Sequence, residues 1–273
     1  MNSLYCYLAS EGLIFLKRGY LPFISPQQLS EPWLQSDSIY RMVTQSRIAA
    51  DDFRQHLQQQ YQKLPQHLRD MVSFDYFVQQ SQEKREQIER SMVVQNTHKQ
   101  VKPFNPERVR DWRLLSLYEG WDQISLWHDS GAGRGLVLEF DITQSGFQAA
   151  EYKGQAQHFS VIKAVSHWQP LDDLYYLFHR PLSRGESPIE ERAWRLARSV
   201  IAADRKVMVQ GIERAMYRLP AKAIKRVVLG YLCSREYCLQ VKEYLSQDLH
   251  YRHVKCMQAQ LDPKTMRLLQ VTI

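Results

Sequence analysis

No apolar run in this 273-residue chain approaches the roughly 18 residues that cross a bilayer as a helix, so a membrane-spanning protein is not expected. Nor does Met1-Asn2-Ser3-Leu4-Tyr5 open a basic segment leading into an apolar one, and a cytoplasmic protein without a signal peptide is expected. Cysteine is scarce: Cys6, Cys233, Cys238 and Cys256 form no Cys-x-x-Cys pair, and the nine histidines show no metal-type spacing near them. Without such spacing a zinc site is not expected, and four free, mostly buried thiols are. There is no Gly-x-x-x-x-Gly-Lys-[Ser/Thr] loop, no Gly-x-Ser-x-Gly elbow and no His-Glu-x-x-His, which removes the commonest phosphate-loop, serine-hydrolase and zinc-protease readings. Gly131-Ala132-Gly133-Arg134-Gly135 is glycine-rich, but it lacks the lysine-hydroxyl pair and precedes an apolar run, so it reads as a turn into a strand. Internal repeats are absent too.

What is present is an ordinary folded composition, 44% hydrophobic, with a net charge of +7 and a pI of about 9.2. That size and composition suffice for one substantial core or two modest domains. The positive field permits contact with nucleic acid or an anionic cofactor without demanding either.

Along the chain, Leu4–Leu8 alternates as a short strand, and Ser10 is placed to cap a helix through Leu13, Ile14, Leu16 and Lys17 that Gly19 ends. Leu21–Ile24 reads as a second strand closed by Ser25-Pro26, because the residue before proline is pushed out of helical geometry. Residues 37–100 contain no glycine and a single proline, Pro65, with apolar positions at helical spacing, and they are expected to form a helical insertion lobe. Strands are expected at Leu114–Leu117, Gly135–Phe140, Phe147–Tyr152, Ala223–Gly230, Val254–Leu261 and Met266–Ile273, the last two as a hairpin. Helices are expected at Asp172–His179 and from a Ser234 cap through Leu245. The expected architecture is α+β: a mixed, mainly antiparallel sheet with flanking helices, residues 1–36 and 101–273 forming the core domain and 37–100 the lobe.

The segments resemble those of a bacterial family of uncharacterised proteins, domain-of-unknown-function family 2971. The resemblance rests on Tyr5 and Tyr7 in the first strand, Phe23-Ile24-Ser25-Pro26, Ser30-Glu31-Pro32 and Leu115-Ser116-Leu117-Tyr118-Glu119. It continues through Trp127-His128-Asp129-Ser130 with Gly135, Leu138-Glu139-Phe140-Asp141, Glu191-Arg192-Ala193-Trp194-Arg195 and Val228-Leu229-Gly230. Departures from the family pattern are Ser130 near the place of a tyrosine, Ser-Glu-Pro for Asn-Asp-Pro, and Ala193 for a glutamate. The family layout is similar to the ADP-ribosyltransferase fold. That resemblance implies NAD as cofactor; no metal is expected, from the cysteine and histidine spacing. Tyr5, Tyr7, Tyr118 and Trp127 would supply ring faces, Ser25 a hydroxyl, Arg134, Arg184 and Arg195 cations, and Glu191 the catalytic carboxylate. A phage-defence role is a further implication of this kind.

The competing reading is a non-catalytic binding module that contacts nucleic acid or an acidic protein partner. Its surface would be the cations of Arg180–Lys206 and Arg214–Arg226, interleaved with Trp194 and Tyr217.

Overall fold

The computed structural model describes residues 2–29, 50–89, 91–92, 109–165, 174–181, 193–209 and 211–273. Contacts divide the chain into two units: residues 1–29, 107–163 and 184–273, and residues 30–106 with 164–183.

In the first unit, β1 (Ser3–Leu8), β3 (Trp112–Tyr118), β4 (Leu136–Asp141), β5 (Glu151–Tyr152), β6 (Gln155–Val161), β9 (Ala193–Ser199), β12 (Ile224–Leu229), β13 (Lys255–Leu261) and β14 (Leu268–Thr272) form one sheet. Its order is β14-β13-β12-β4-β1-β3-β9-β6-β5, and every pairing is antiparallel except β12 with β13. The two runs that bracket the Trp-rich stretch, β3 and β4, flank β1 in the middle of this sheet, as their apolar composition implies. A smaller sheet joins β2 (Tyr20–Phe23) to the hairpin of β10 (Arg205–Val209) and β11 (Ile212–Arg218).

Alternation puts Leu4, Cys6, Leu8, Leu136, Leu138, Phe140, Val227 and Leu229 on one face of the large sheet, in the main core. Helix α1 (Gly12–Arg18) brings Leu13, Phe15 and Leu16 to that core, and the C-terminal helix (Arg235–Gln247) brings Cys238, Val241 and Leu245. Ser234 caps the latter by accepting from Tyr237 N at 3.2 Å, as expected. α1 instead starts at Glu11 with no side-chain cap, and Gly19 closes it at φ 68°. The opposite sheet face carries Tyr5, Trp127, Val137, Val228, Ala259 and Leu268 in a second, smaller cluster.

A buried cation anchors the core beside β9. Arg198 lies 3.8 Å over the Tyr152 ring, with Phe23, Tyr217 and Phe147 also within 6 Å, and its Nε donates to Gln157 Oε1 at 2.7 Å. Burial lowers its pKa to about 10. Gln157 Nε2 in turn donates to the carbonyls of Gly146, Phe147 and Ala149, which ties the following turn to the sheet.

Three expectations need correction. Phe147–Tyr152 was expected as a strand; only Glu151–Tyr152 is one, because Gln157 takes the carbonyls of the preceding turn. Asp172–His179 was expected as a helix; the described helix is Tyr175–Phe178, and His179–Pro181 leaves it as a strand (β8), with residues 172–173 outside the described set. The third concerns the segment between the strands of Leu114–Asp141, whose Trp-, His- and Asp-rich composition predicts a connection that exposes Trp127, His128, Asp129 and Arg134. It folds as helix Ile124–Gly131 with Trp127 buried, because its ring packs on the sheet in one cluster with Tyr5, Val137 and Val228.

The second unit contains helices Ala50–Gln62, Gln66–Met71 and Phe74–Glu83, with Phe53, Leu57 and Met92 buried in one cluster, and the strand His179–Pro181; its partner strand, Lys163–Val165, begins at the last residue of the preceding segment of the first unit. Ser73 caps the third of these helices by accepting from Tyr76 N. Tyr61 Oη donates to the Val72 and Arg69 carbonyls at 2.7 and 3.1 Å, which ties the end of the first helix to the end of the short middle one.

Candidate functional site

Strand pairing builds the site. Tyr5 is the register partner of both Tyr118 on β3 and Glu139 on β4, Glu139 that of Arg226 on β12, and Arg226 that of Lys255 on β13. Directly opposed residues share a sheet face. Tyr118, Tyr5, Glu139, Arg226 and Lys255 therefore form one row across five adjacent strands, roughly 19 Å long at about 4.8 Å per strand.

A β-bulge makes this row possible. Ile224 pairs with Phe140, yet Arg226 pairs with the next residue back, Glu139, so Lys225 is an extra residue. Without it, strict alternation would put Arg226 on the core face with Ile224. The bulge turns Arg226 to the Tyr5 face while Ile224, Val227 and Leu229 all stay in the core. Lys225 itself is used locally, 3.4 Å from Asp141 Oδ2 and 3.2 Å from Ser3 Oγ.

At the cationic end, Arg226 Nε donates to Glu139 Oε2, Nη1 to Gln270 Oε1 at 2.7 Å, and Nη2 reaches Tyr5 Oη at 3.5 Å. The Glu139 side chain is only 7% exposed and that of Arg226 is 30%, so the pair lies at the edge of solvent. Hydrogen bonding to Glu139 raises the Arg226 pKa further, and burial, then the Glu139 charge, raises that of Tyr5. Tyr5 is thus a neutral phenol beside a fixed ion pair at neutral pH. The buried Nε2 of Gln270 has no hydrogen-bond partner among the described residues, an unmet donor next to a guanidinium.

At the aromatic end, the Tyr7 ring meets Tyr118 edge-on at 5.6 Å and Trp127 at 5.4 Å. Tyr7 Oη donates to Gly120 O at 2.9 Å and accepts from Gln123 N, while Trp127 Nε1 donates to Trp121 O at 2.7 Å. These bonds pin residues 120–123 beside the row, and burial pushes the Tyr7 pKa upward.

The structure thus brings together four of the residues that the family resemblance singles out: Tyr5, Tyr7, Tyr118 and Trp127. Ser25 stands elsewhere, at the end of β2, where its backbone N–H bonds Gln28 Oε1. Arg195 is the register partner of Ser116 and is fully buried, on β9. Arg134 is exposed in the glycine-rich turn. Glu191 and Arg184 lie outside the described residues. His128 and Asp129, 3.3 Å apart, are an exposed pair on the surface of their helix.

Glu139 and Gln270 are additions that the sequence did not single out as site residues, and Arg226, expected only among the cations of a binding surface, is instead paired with Glu139. Glu139 sits in a motif quoted for the resemblance, but its partner is 87 residues away and comes into reach only through the bulge. No group of three or more His, Cys, Asp or Glu side chains placed to hold a metal ion occurs among the described residues. Burial raises the pKa of Cys6 and Cys233 to about 12 and of Cys256 to about 11, which disfavours reactive thiolates.

Comparison with protein-family models, curated proteins and solved structures gives no match.

Proposed function

We propose that the chain is an ADP-ribosyltransferase-like domain that holds NAD along the strand row from Tyr118 to Arg226. One observation carries this reading: rings stand at one end of a row, a cationic cluster at the other, and a carboxylate between them. A dinucleotide has the matching order of a flat ring, a ribose and a pyrophosphate. The partly exposed Arg226 suits anionic oxygens, with Lys255 adding charge at the exposed end. Tyr118 and Tyr7, both half-buried, offer ring edges and faces at the other end.

NAD, when bound, supplies an ADP-ribosyl group that leaves nicotinamide behind. The chain's own contribution is to fix and desolvate it. Tyr5 Oη and Glu139 are held rigid at mid-row by Arg226, which fixes the surface along which the ribose would lie. Because Glu139 is neutralised by its arginine, the resemblance-derived carboxylate, Glu191, is the one assigned to chemistry.

The test is direct. NAD titrated into the protein should quench tryptophan fluorescence, with binding weakened about tenfold or more in Arg226→Ala and severalfold in the exposed Lys255→Ala. Nicotinamide release should be measurable and should vanish in Glu191→Gln with binding retained. Absence of NAD binding at millimolar concentration would overturn the proposal.

A further inference from the structure

We infer that a cationic surface around Tyr20, separate from the strand row, binds the phosphate backbone of single-stranded nucleic acid. α1 ends in Lys17 and Arg18, and β2 begins two residues later at Tyr20. Tyr20 is the register partner of Arg218, and the Arg205 guanidinium lies 5.0 Å over the Tyr20 ring. Leu219 N donates to Gly19 O at 2.9 Å, which locks the end of α1 to the end of β11. Lys222 follows in the next turn. Arg18, Arg205, Arg218 and Lys222 are all exposed, and no carboxylate among the described residues forms an ion pair with their side chains.

The acid beside them is already occupied. Asp204 accepts from Tyr152 Oη at 2.7 Å, from Lys153 Nζ at 2.5 Å and from Arg218 N at 2.8 Å. It therefore fixes the hairpin and leaves the guanidinium groups uncompensated. Arg205 pairs with Met216, two residues from Arg218 on the neighbouring strand, so the two arginines are diagonal neighbours about 7–8 Å apart at Cα. Two planar guanidinium groups at that spacing suit successive phosphates, which they bind in bidentate fashion. The ring-guanidinium stack offers a flat face on which a base can lie, and such stacking distinguishes nucleic acid from an acidic protein segment.

The measurement is fluorescence anisotropy of a labelled 20-mer of thymidylate titrated with the whole protein. Four backbone contacts, one per exposed cation, imply a log–log salt slope near −3 on a single strand, a loss of about 50-fold between 50 and 200 mM salt. Arg205→Ala/Arg218→Ala, both at exposed sites, should bind at least tenfold more weakly and with a shallower slope. Lys264→Ala/Arg267→Ala removes the same charge from the turn before β14, at the far edge of the large sheet, and should change affinity less than threefold. Thermal melts of each variant establish that folding is unchanged. No binding at 50 mM salt, equal losses in the two double variants, or equal affinity for a polyglutamate of matched charge would each overturn the inference. None of these outcomes bears on NAD binding at the strand row.

Discussion

Gly135→Ala is expected to destabilise the first unit by breaking the junction between β1 and β4. A Cβ at this position would lie 2.0 Å from the Leu8 carbonyl oxygen and 3.0 Å from both Ala9 C and Ala9 Cα. All three atoms are backbone, so no side-chain rotation relieves the overlap. Leu8 ends β1 and pairs with Leu136, the residue after the glycine, and the Gly135 carbonyl accepts from Gly230 N at 2.9 Å. Overpacking costs about 1–3 kcal/mol. Weakening the bond to Gly230 adds about 1 kcal/mol. The sum, roughly 2–4 kcal/mol, corresponds to a fall in Tm on the order of 10 °C for a unit of this size. Gly154→Ala is the control: its φ of 71° is unfavourable for alanine, but nothing stands within 4 Å of the added carbon. That strain alone costs about 1–2 kcal/mol. Circular-dichroism melts with urea titrations compare the two. A Gly135→Ala melt within 2 °C of the parent, or a larger loss in Gly154→Ala, would refute the steric argument. A stable Gly135→Ala that had lost nucleotide binding would instead return the glycine-rich turn to the phosphate-loop reading.

Arg226→Met should cost about 2–3 kcal/mol, below the ~3–5 kcal/mol typical of a fully buried pair because the guanidinium is partly exposed. Most of that cost is the stranded Glu139 charge, so Glu139→Gln/Arg226→Met should be more stable than Arg226→Met alone; additivity of the two single variants within about 0.5 kcal/mol would contradict the coupling. Asp204 is pushed up by burial but more than compensated by its bonds from Lys153, Tyr152 and Arg218 N, and its pKa is held below the ordinary value. A depressed carboxyl stabilises the fold above its unfolded pKa of about 3.9, and that contribution disappears as pH falls through the lower folded value. Asp204→Asn should therefore lose about 1–2 kcal/mol at pH 7, allowing for the half-exposed Lys153, with the gap to the parent narrowing as the pH is lowered from 7 to 3. Urea melts at the two pH values check this, and a gap that widens in acid would contradict it.

The fold class was legible because its signals are local. Alternation in Leu4–Leu8 and Leu136–Phe140, the Ser234 cap and the Gly19 stop act within a few residues, and each element stands close to its expected bounds. β9 was not legible: Trp194-Arg195-Leu196-Ala197-Arg198 mixes charge into both faces and reads as a solvated arginine-rich segment. It is a strand because Arg195 and Arg198 are both buried, Arg198 among aromatic rings contributed by β2, β5, β11 and the turn before β5. Burial of that kind depends on partners distant in sequence.

The same division holds at the site. By itself the sequence determined an α+β chain and an aromatic first strand, since side-chain period and turn chemistry are properties of neighbours. Only the tertiary structure decided that Tyr118, Tyr5, Glu139 and Arg226 stand in one row, because register between strands far apart in sequence is set by pairing. The one-residue bulge at Lys225 then turns Arg226 from the core face to the site face. A single extra residue in a ladder leaves no trace in composition or periodicity, yet it reverses which side of the sheet every following side chain occupies.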